Sequence, residues 1–132
     1  ELEGGRLVID GAHNPHGAAT TVQTWHQAFG SERATIIFGA VASKDHAASL
    51  SLLSGLAARF HCVTVNSPRA VPAETLASTV PAGISVAIFP DLTSALTEAR
   101  RHPERILICG SLYLCGEALS LLSGGAFESS AQ

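Results

Sequence analysis

Short apolar runs alternate with longer segments of helical periodicity along the whole chain. The pattern predicts five strand and helix pairs, which read in order RLVIDG, PHGAATTVQTWHQAFG, ATIIFGAV, DHAASLSLLSGLAARF, HCVTVNS, PAETLASTV, SVAIFP, DLTSALTEARR, RILICGS and LYLCGEALSLLSGG. Residues 7–9, 35–38 and 106–109 are almost continuously apolar, which is typical of parallel strands covered on both faces. Strands that alternate with helices predict an α/β fold with a doubly wound, mostly parallel sheet and helices on both faces.

Particular residues indicate where the helices begin, end and face the core. The spacing of three to four residues predicts one buried stripe on the second helix, formed by Ala48, Leu52, Gly55 or Leu56, and Arg59 or Phe60. We expect Pro72 to begin the third helix, Asp91 to cap the fourth and Pro103 to end it.

The length of 132 residues fits one domain. We assign residues 1–123 to a single domain and residues 124–132, rich in Ser, Ala and Gly, to a flexible tail. The chain contains no Met, and its first residues lack the basic start and the apolar stretch of a signal peptide. We therefore expect a domain from a longer or processed chain, with part of the chemistry upstream.

Composition and charge narrow the class of protein. A hydrophobic fraction of 46% against 14% charged residues excludes disorder, and no apolar run approaches the roughly 18 residues of a membrane span. The net charge of −3, with no basic cluster beyond Arg100 and Arg101, argues against a nucleic-acid partner. Cys62, Cys109 and Cys115 show no CxxC spacing, which predicts reduced, buried thiols in a cytoplasmic protein.

Three predicted turns between a strand and the next helix have unusual polar content. They are DGAHNPHG at residues 10–17, GAVASKDH at 39–46 and GSLY at 110–113. In an open parallel sheet, ligands bind at the carboxyl ends of the strands. We therefore expect these turns to meet at one edge of the sheet.

The first turn combines structural and chemical signals. Asn14 followed by Pro15 predicts the start of a helix. The Asp10 carboxylate is costly at the end of a buried strand unless it accepts hydrogen bonds, so it either orders the loop or binds ribose hydroxyls. The ring of His13 can point into the cleft, whereas His16 falls on the first helical turn; either is also consistent with a surface histidine. No third ligand accompanies them, so no metal site is assigned.

The second turn carries Lys44, the only lysine of the chain. One interpretation is structural: Lys44 pairs with Asp45 in solvent, at the start of a helix that Ser43 or Asp45 caps. The other is functional: Lys44 faces a nucleotide or an acidic substrate. Arg69, after the third strand, has the same two interpretations. The chain has no GxGxxG, no GxxxxGK[ST] and no GxSxG, so a self-sufficient nucleotide enzyme is not expected.

DGAHNPHG, FGAVASKD, SPRAVPAETL and GSLYLCGEAL resemble, in that order, the C-terminal domain of folylpolyglutamate synthase/dihydrofolate synthase, a branch of the Mur ligase family. The resemblance spans nearly the whole chain. It implies a Rossmann-like domain that closes over the substrates, with the central ATPase domain of the enzyme as its partner. That central domain, with its P-loop, is not part of this chain.

The resemblance also implies an activity. Members phosphorylate a carboxylate with ATP and Mg²⁺, and the amine of L-glutamate attacks the acyl phosphate to form an amide. The carboxylate belongs to dihydropteroate or folate, which places the enzyme in cytoplasmic folate and one-carbon metabolism. The magnesium ligands lie mainly in the absent domain, so the isolated chain is expected to be inactive.

Site residues follow from the same resemblance. Asp10 is similar to the aspartate that contacts the adenosine part of ATP. His13 and Ser111 resemble residues that orient the incoming glutamate, which implies that both are catalytic and substrate-binding residues. Asn14 and Lys44 match cofactor-binding positions, Asn14 also as a helix cap. Two alternatives are a peptidoglycan-precursor Mur ligase domain and a non-catalytic α/β ligand-binding module.

Overall fold

The computed structural model describes residues 5–42 and 45–123. The predicted tail at 124–132 lies outside these residues, as do Ser43 and Lys44. Ten elements follow one another: β1 (Leu7–Ile9), α1 (Pro15–Phe29), β2 (Ala34–Phe38), α2 (His46–Leu53), β3 (Ala57–Cys62), α3 (Ala73–Ser78), β4 (Ser85–Ile88), α4 (Leu92–Ala99), β5 (Arg105–Cys109) and α5 (Leu112–Leu122).

The strands form one sheet in the order β1-β5-β2-β3-β4. Every strand pairing in the described part of the chain is parallel. β5 lies between β1 and β2, with Leu107 opposite both Val8 and Ile36. The predicted parallel α/β sheet is confirmed.

Two apolar layers cover the sheet. α1, α2 and α3 pack on one face, where their buried residues include Trp25, Leu50 and Leu76. α4 and α5 pack on the other face through residues such as Leu96 and Leu114. The strand residues between them alternate between the two layers, so the predicted doubly wound arrangement is confirmed. None of the described helices is long and apolar enough to cross a bilayer.

Side-chain caps explain where four helices begin. Asn14, Asp45, Asp91 and Ser111 each accept a hydrogen bond from the backbone N–H three residues later. The predicted cap at Asp91 is confirmed, and Pro72 immediately precedes α3.

The prediction that Pro103 ends the fourth helix is wrong. α4 ends at Ala99, and Arg100 occupies the C-cap with its N–H bonded to Leu96 O and Glu98 O. A tight turn follows before β5, so the proline lies in the connection rather than at the helix end.

The predicted second helix is too long. α2 ends at Leu53, and Arg59 and Phe60 lie in β3, where they pair with β2 and β4. The predicted buried stripe is also wrong, because Leu52 is 41% exposed and the buried residues of α2 are Ser49, Leu50 and Leu53. Backbone hydrogen bonds to two neighbouring strands decide this boundary, and a helical spacing of apolar residues does not reveal them.

The three cysteines are unpaired and buried, as expected. Burial raises the pKa of Cys62 to about 12 and that of Cys109 well above its ordinary value. Burial and the nearby Asp10 carboxylate raise the pKa of Cys115 to about 11. All three thiols therefore stay protonated and unreactive near neutral pH.

Candidate functional site

The candidate site lies at the carboxyl edge of the sheet, around the end of β5. The chain leaves β1 and β2 toward the α1 and α2 face, but it leaves β5 toward the opposite face. Adjacent strands whose connections leave on opposite sides open a crevice between their turns. β1 and β2, the two neighbours of β5, both stand in this relation to it.

The turns after β1, β5 and β2 contact one another directly. Gly110 N–H donates to Ala12 O at 2.9 Å, and Gly39 N–H donates to Cys109 O at 3.4 Å. A Cβ on Gly110 would lie 2.3 Å from Gly39 O, and Gly110 has φ +118°. Only glycine allows the β5 turn to lie this close to the β2 turn. The expected meeting of three polar turns is confirmed.

The turn after β3 reaches the same edge. Val41 and Ala70 form an isolated antiparallel bridge, with Ala42 N–H donating to Arg69 O at 2.7 Å and Val71 N–H to Ala40 O at 2.9 Å. The Arg69 guanidinium donates to Ala42 O at 3.4 Å. Arg69 therefore lies beside the turn that contains Lys44, as proposed from the sequence.

Asp10 orders its own loop. Its Oδ1 accepts the Ala12 N–H at 2.9 Å, and this is the sole hydrogen bond to the carboxylate from the described residues. Asp10 also lines a cavity of about 130 Å³, together with Thr21 and Trp25 of α1. The loop-ordering interpretation is therefore confirmed, and a ribose-binding role for this carboxylate stays a prediction.

The backbone of Asp10 is held from the α5 side. The Cys115 thiol donates to Asp10 O at 3.1 Å, and Asp10 N–H donates to Ile108 O at 2.9 Å. β5 and α5 therefore both fix the position of this residue.

The two histidines of the first turn have different surroundings. His13 is partly buried, and its Nδ1 lies 3.0 Å from Gly11 O. His16 is exposed in the first turn of α1. Asn14 Oδ1 accepts the Gly17 N–H at 2.8 Å, which makes it the cap of α1. Among residues 5–42 and 45–123, no group of three His, Cys, Asp or Glu side chains is arranged to hold a metal.

Ser111 is the cap of α5. Its Oγ accepts the Leu114 N–H at 3.0 Å, and the residue is only 1% exposed. The hydroxyl hydrogen is left for donation after capping. A substrate-binding role for this side chain stays a prediction.

The second turn contributes one group that the sequence interpretation passed over. Asp45 caps α2 by accepting the Ala48 N–H at 3.1 Å. The Nδ1 atom of the next residue, His46, is buried and finds no hydrogen-bond partner within the described part of the chain. The sequence offered no signal for it beyond its place in a polar turn. The position of Lys44 is not described, so its role stays a prediction.

Comparisons with known proteins agree with this geometry. The family model described as Mur ligase, glutamate ligase domain, matches residues 1–112. The folylpolyglutamate synthase of Lacticaseibacillus casei is 33% identical over 120 residues, which cover 90% of this chain and 27% of that protein.

Solved structures share the fold. A bifunctional folylpolyglutamate synthase/dihydrofolate synthase of Yersinia pestis, complexed with AMPPNP and Mn ion, matches with a TM-score of 0.78 and 27% identity, over 88% of this chain and 28% of that one. A bifunctional enzyme of the same name with Mn, AMPPNP and L-glutamate bound matches with a TM-score of 0.74 and 26% identity, over 88% and 28% of the two chains.

The chain spans between 26% and 30% of the length of the curated relatives that it matches. The family model nevertheless covers most of the chain, including the turns after β1, β2 and β5. The chain therefore belongs to the Mur ligase family, as a glutamate ligase domain.

Proposed function

We propose that this chain is the C-terminal domain of an ATP-dependent folylpolyglutamate/dihydrofolate synthase. The complete enzyme forms an amide bond between a carboxylate of folate or dihydropteroate and the amine of L-glutamate. The observation that carries the proposal is the meeting of three polar turns around the end of β5. The similarity to folylpolyglutamate synthases favours the folate branch over the peptidoglycan branch.

The chemistry explains why a second domain is required. A carboxylate does not react with an amine at neutral pH, so ATP first transfers its γ-phosphoryl group to a carboxylate oxygen. The glutamate amine then attacks the acyl carbon, and the tetrahedral intermediate releases inorganic phosphate as the amide forms. This chain has no glycine-rich loop to hold the phosphates. Phosphate and magnesium binding therefore belong to the central domain. This chain supplies the other side of the active site, which the two domains share.

Asp10 suits the nucleoside part of ATP. One carboxylate oxygen is fixed by the Ala12 N–H, so the other oxygen has a defined direction at the edge of the sheet. A carboxylate accepts hydrogen bonds from two neighbouring ribose hydroxyls without losing charge. Asn14 supports the same role by fixing where the loop turns into α1.

His13 and Ser111 suit the incoming glutamate. They stand on turns that are joined by the Gly110 to Ala12 hydrogen bond, so both lie at one crevice. A histidine N–H and a serine hydroxyl each donate to a carboxylate. A glutamate held in this way presents its amine to the acyl carbon. The expected contribution of His13 and Ser111 is therefore to position the glutamate for attack. Lys44 is the cation proposed to face the nucleotide from the turn after β2.

The enzyme is placed in the cytoplasm in this proposal. Three buried, unpaired cysteines in so small a domain fit a reducing compartment.

The test uses the complete ligase with Asp10→Ala and Asp10→Asn. We expect the KM for ATP to rise roughly tenfold to a hundredfold in both variants, because charged hydrogen bonds to the ribose are lost or weakened. Asp10→Asn keeps an oxygen for the Ala12 N–H, so its stability should stay near that of the wild type. Products are identified by mass spectrometry as additions of single glutamate residues.

Asp91→Ala is the matched control, because the Asp91 carboxylate also accepts a backbone N–H just after a strand, but it stands at the end of β4, the far strand of the sheet. Its KM for ATP should not change. An unchanged KM for ATP in both Asp10 variants would contradict the nucleotide role.

A further inference from the structure

Exposed apolar side chains concentrate on one helix of the domain. Among the described residues, α5 carries four of the seven exposed large hydrophobic side chains. Leu112 and Tyr113 in its first turn are the two most exposed, at 65% and 55%. α5 is anchored to the sheet by its other side, through Leu114, Cys115 and Ala118. The core therefore does not explain why position 112 and position 113 are apolar.

These two side chains stand beside the candidate site. They directly follow Ser111, and a Cβ on Gly11 would lie 3.0 Å from Leu112 Cδ2. The pair is thus continuous with the turn that carries Asp10 and His13. An apolar centre next to polar groups is the usual composition of a protein interface, and tyrosine is enriched among the residues that dominate binding.

We propose that Leu112 and Tyr113 form the surface on which the central, nucleotide-binding domain of the complete ligase docks when the site closes. The inference rests on the proposed function. Relatives are more than three times as long as this chain, and the groups that hold the phosphates must come from outside it. They must approach the carboxyl edge of the sheet, where this pair is exposed.

The same helix provides a matched control surface. Leu119 and Leu121 are also exposed, at 52% and 44%, but they lie near the opposite end of α5, away from the turns. Docking of the central domain on this surface requires Leu112 and Tyr113, and it does not require Leu119 and Leu121. Tyr113→Phe keeps the apolar area and removes only the hydroxyl, so it separates docking from a chemical role of the phenol.

The experiment compares Leu112→Ser/Tyr113→Ser with Leu119→Ser/Leu121→Ser in the complete ligase. We expect the first pair to lower kcat/KM for glutamate ligation at least about tenfold. Small-angle X-ray scattering should show that Mg-AMPPNP compacts the wild type and the control pair, but compacts the first pair less. The midpoint of thermal unfolding should stay close to that of the wild type, because neither side chain belongs to the core. Tyr113→Phe should behave like the wild type.

Each outcome is decisive. Equal losses of kcat/KM in the two double variants, or no loss in the first, would overturn the docking surface. A wild-type ligase that forms no glutamate conjugate would overturn the proposed function and this inference together. Normal ligation by the wild type and by Leu112→Ser/Tyr113→Ser alike overturns the docking surface alone.

Discussion

At the scale of single residues, the candidate site depends on how closely two backbones approach. Gly110 has φ +118°, and its missing Cβ leaves room for the Gly39 carbonyl. Its N–H also reaches Ala12 O. One residue therefore holds the turns after β1, β2 and β5 together.

Gly110→Ala should destabilise the chain by roughly 3 kcal/mol, because the new Cβ meets fixed backbone and the φ is strained for alanine. The midpoint of thermal unfolding should fall by about 10 °C. Gly116→Ala is the control, since Gly116 lies in α5 with open space at its Cβ. Gly116→Ala should raise the free energy of unfolding by about 0.5–1 kcal/mol. Equal stability of the two variants would contradict the close approach of the turns.

His61 is a buried titratable residue outside the candidate site. Its ring packs against Phe89 with centroids 4.5 Å apart, and Nδ1 lies 3.2 Å from Ala95 O. Desolvation lowers the pKa of His61 below its ordinary value of 6.5, despite the opposing backbone hydrogen bond. His102 and Arg59 nearby lower this pKa further, and Glu98 raises it.

Stability should therefore fall as the pH drops below about 6.5. In that range the unfolded chain binds a proton at position 61 that the folded chain does not, until the pH reaches the lowered pKa. His61 alone changes the free energy of unfolding by at most about 1.4 kcal/mol per pH unit. Urea unfolding between pH 5 and 7.5 measures it. His61→Phe should remove this part of the slope, and an identical pH dependence in the variant would refute the assignment.

At the scale of elements, helix starts are also the edges of the site. Asn14, Asp45 and Ser111 are caps on the three turns that meet. The residues that end a loop and begin a helix therefore lie on the same turns as the predicted site residues. Structural and functional roles must be separated by substitution.

Asn14→Ala should cost about 1 kcal/mol of stability in this chain, because the Gly17 N–H loses its acceptor. Asn14→Ser keeps an acceptor at the cap, so its free energy of unfolding should stay near that of the wild type. In the complete ligase, a stable Asn14→Ser variant with a raised KM for ATP would add a binding role to the cap. Full activity of that variant would leave Asn14 as a cap alone.

The order and type of elements could be predicted from the sequence, but the ends of α2 and α4 could not. Caps and apolar runs are local signals, so all five strands and all five helices were expected in the right order. The segment after Leu53 has helical spacing, yet residues from Ala57 form a strand between β2 and β4. Pairing with two distant strands outweighs a local preference.

At the scale of the whole molecule, the fold gathers arginines that are far apart in the sequence at one end of the strands. Along the sequence only Arg100 and Arg101 are adjacent. The fold brings Arg6, Arg33, Arg59 and Arg105 to the amino ends of the strands. Ion pairs with Glu32 and Glu104 partly neutralise them. This cluster lies at the opposite end of the strands from the candidate site.

The isolated chain should release no ADP from ATP and should form no glutamate conjugate, because it has no phosphate-binding loop. Supplying the central domain in trans should restore measurable ligation. ADP release and product mass are the readouts. Turnover by the chain alone would contradict its assignment as one wall of a shared site.

By itself the sequence determined the alternation of strands and helices, the caps, the buried thiols and the motifs that indicate the family, because each depends on neighbouring residues. The tertiary structure decided that β5 lies between β1 and β2, that Gly110 contacts Gly39, and that His46 Nδ1 is buried. These features are contacts between segments far apart along the chain. Their energies come from packing and hydrogen bonds that no local pattern contains.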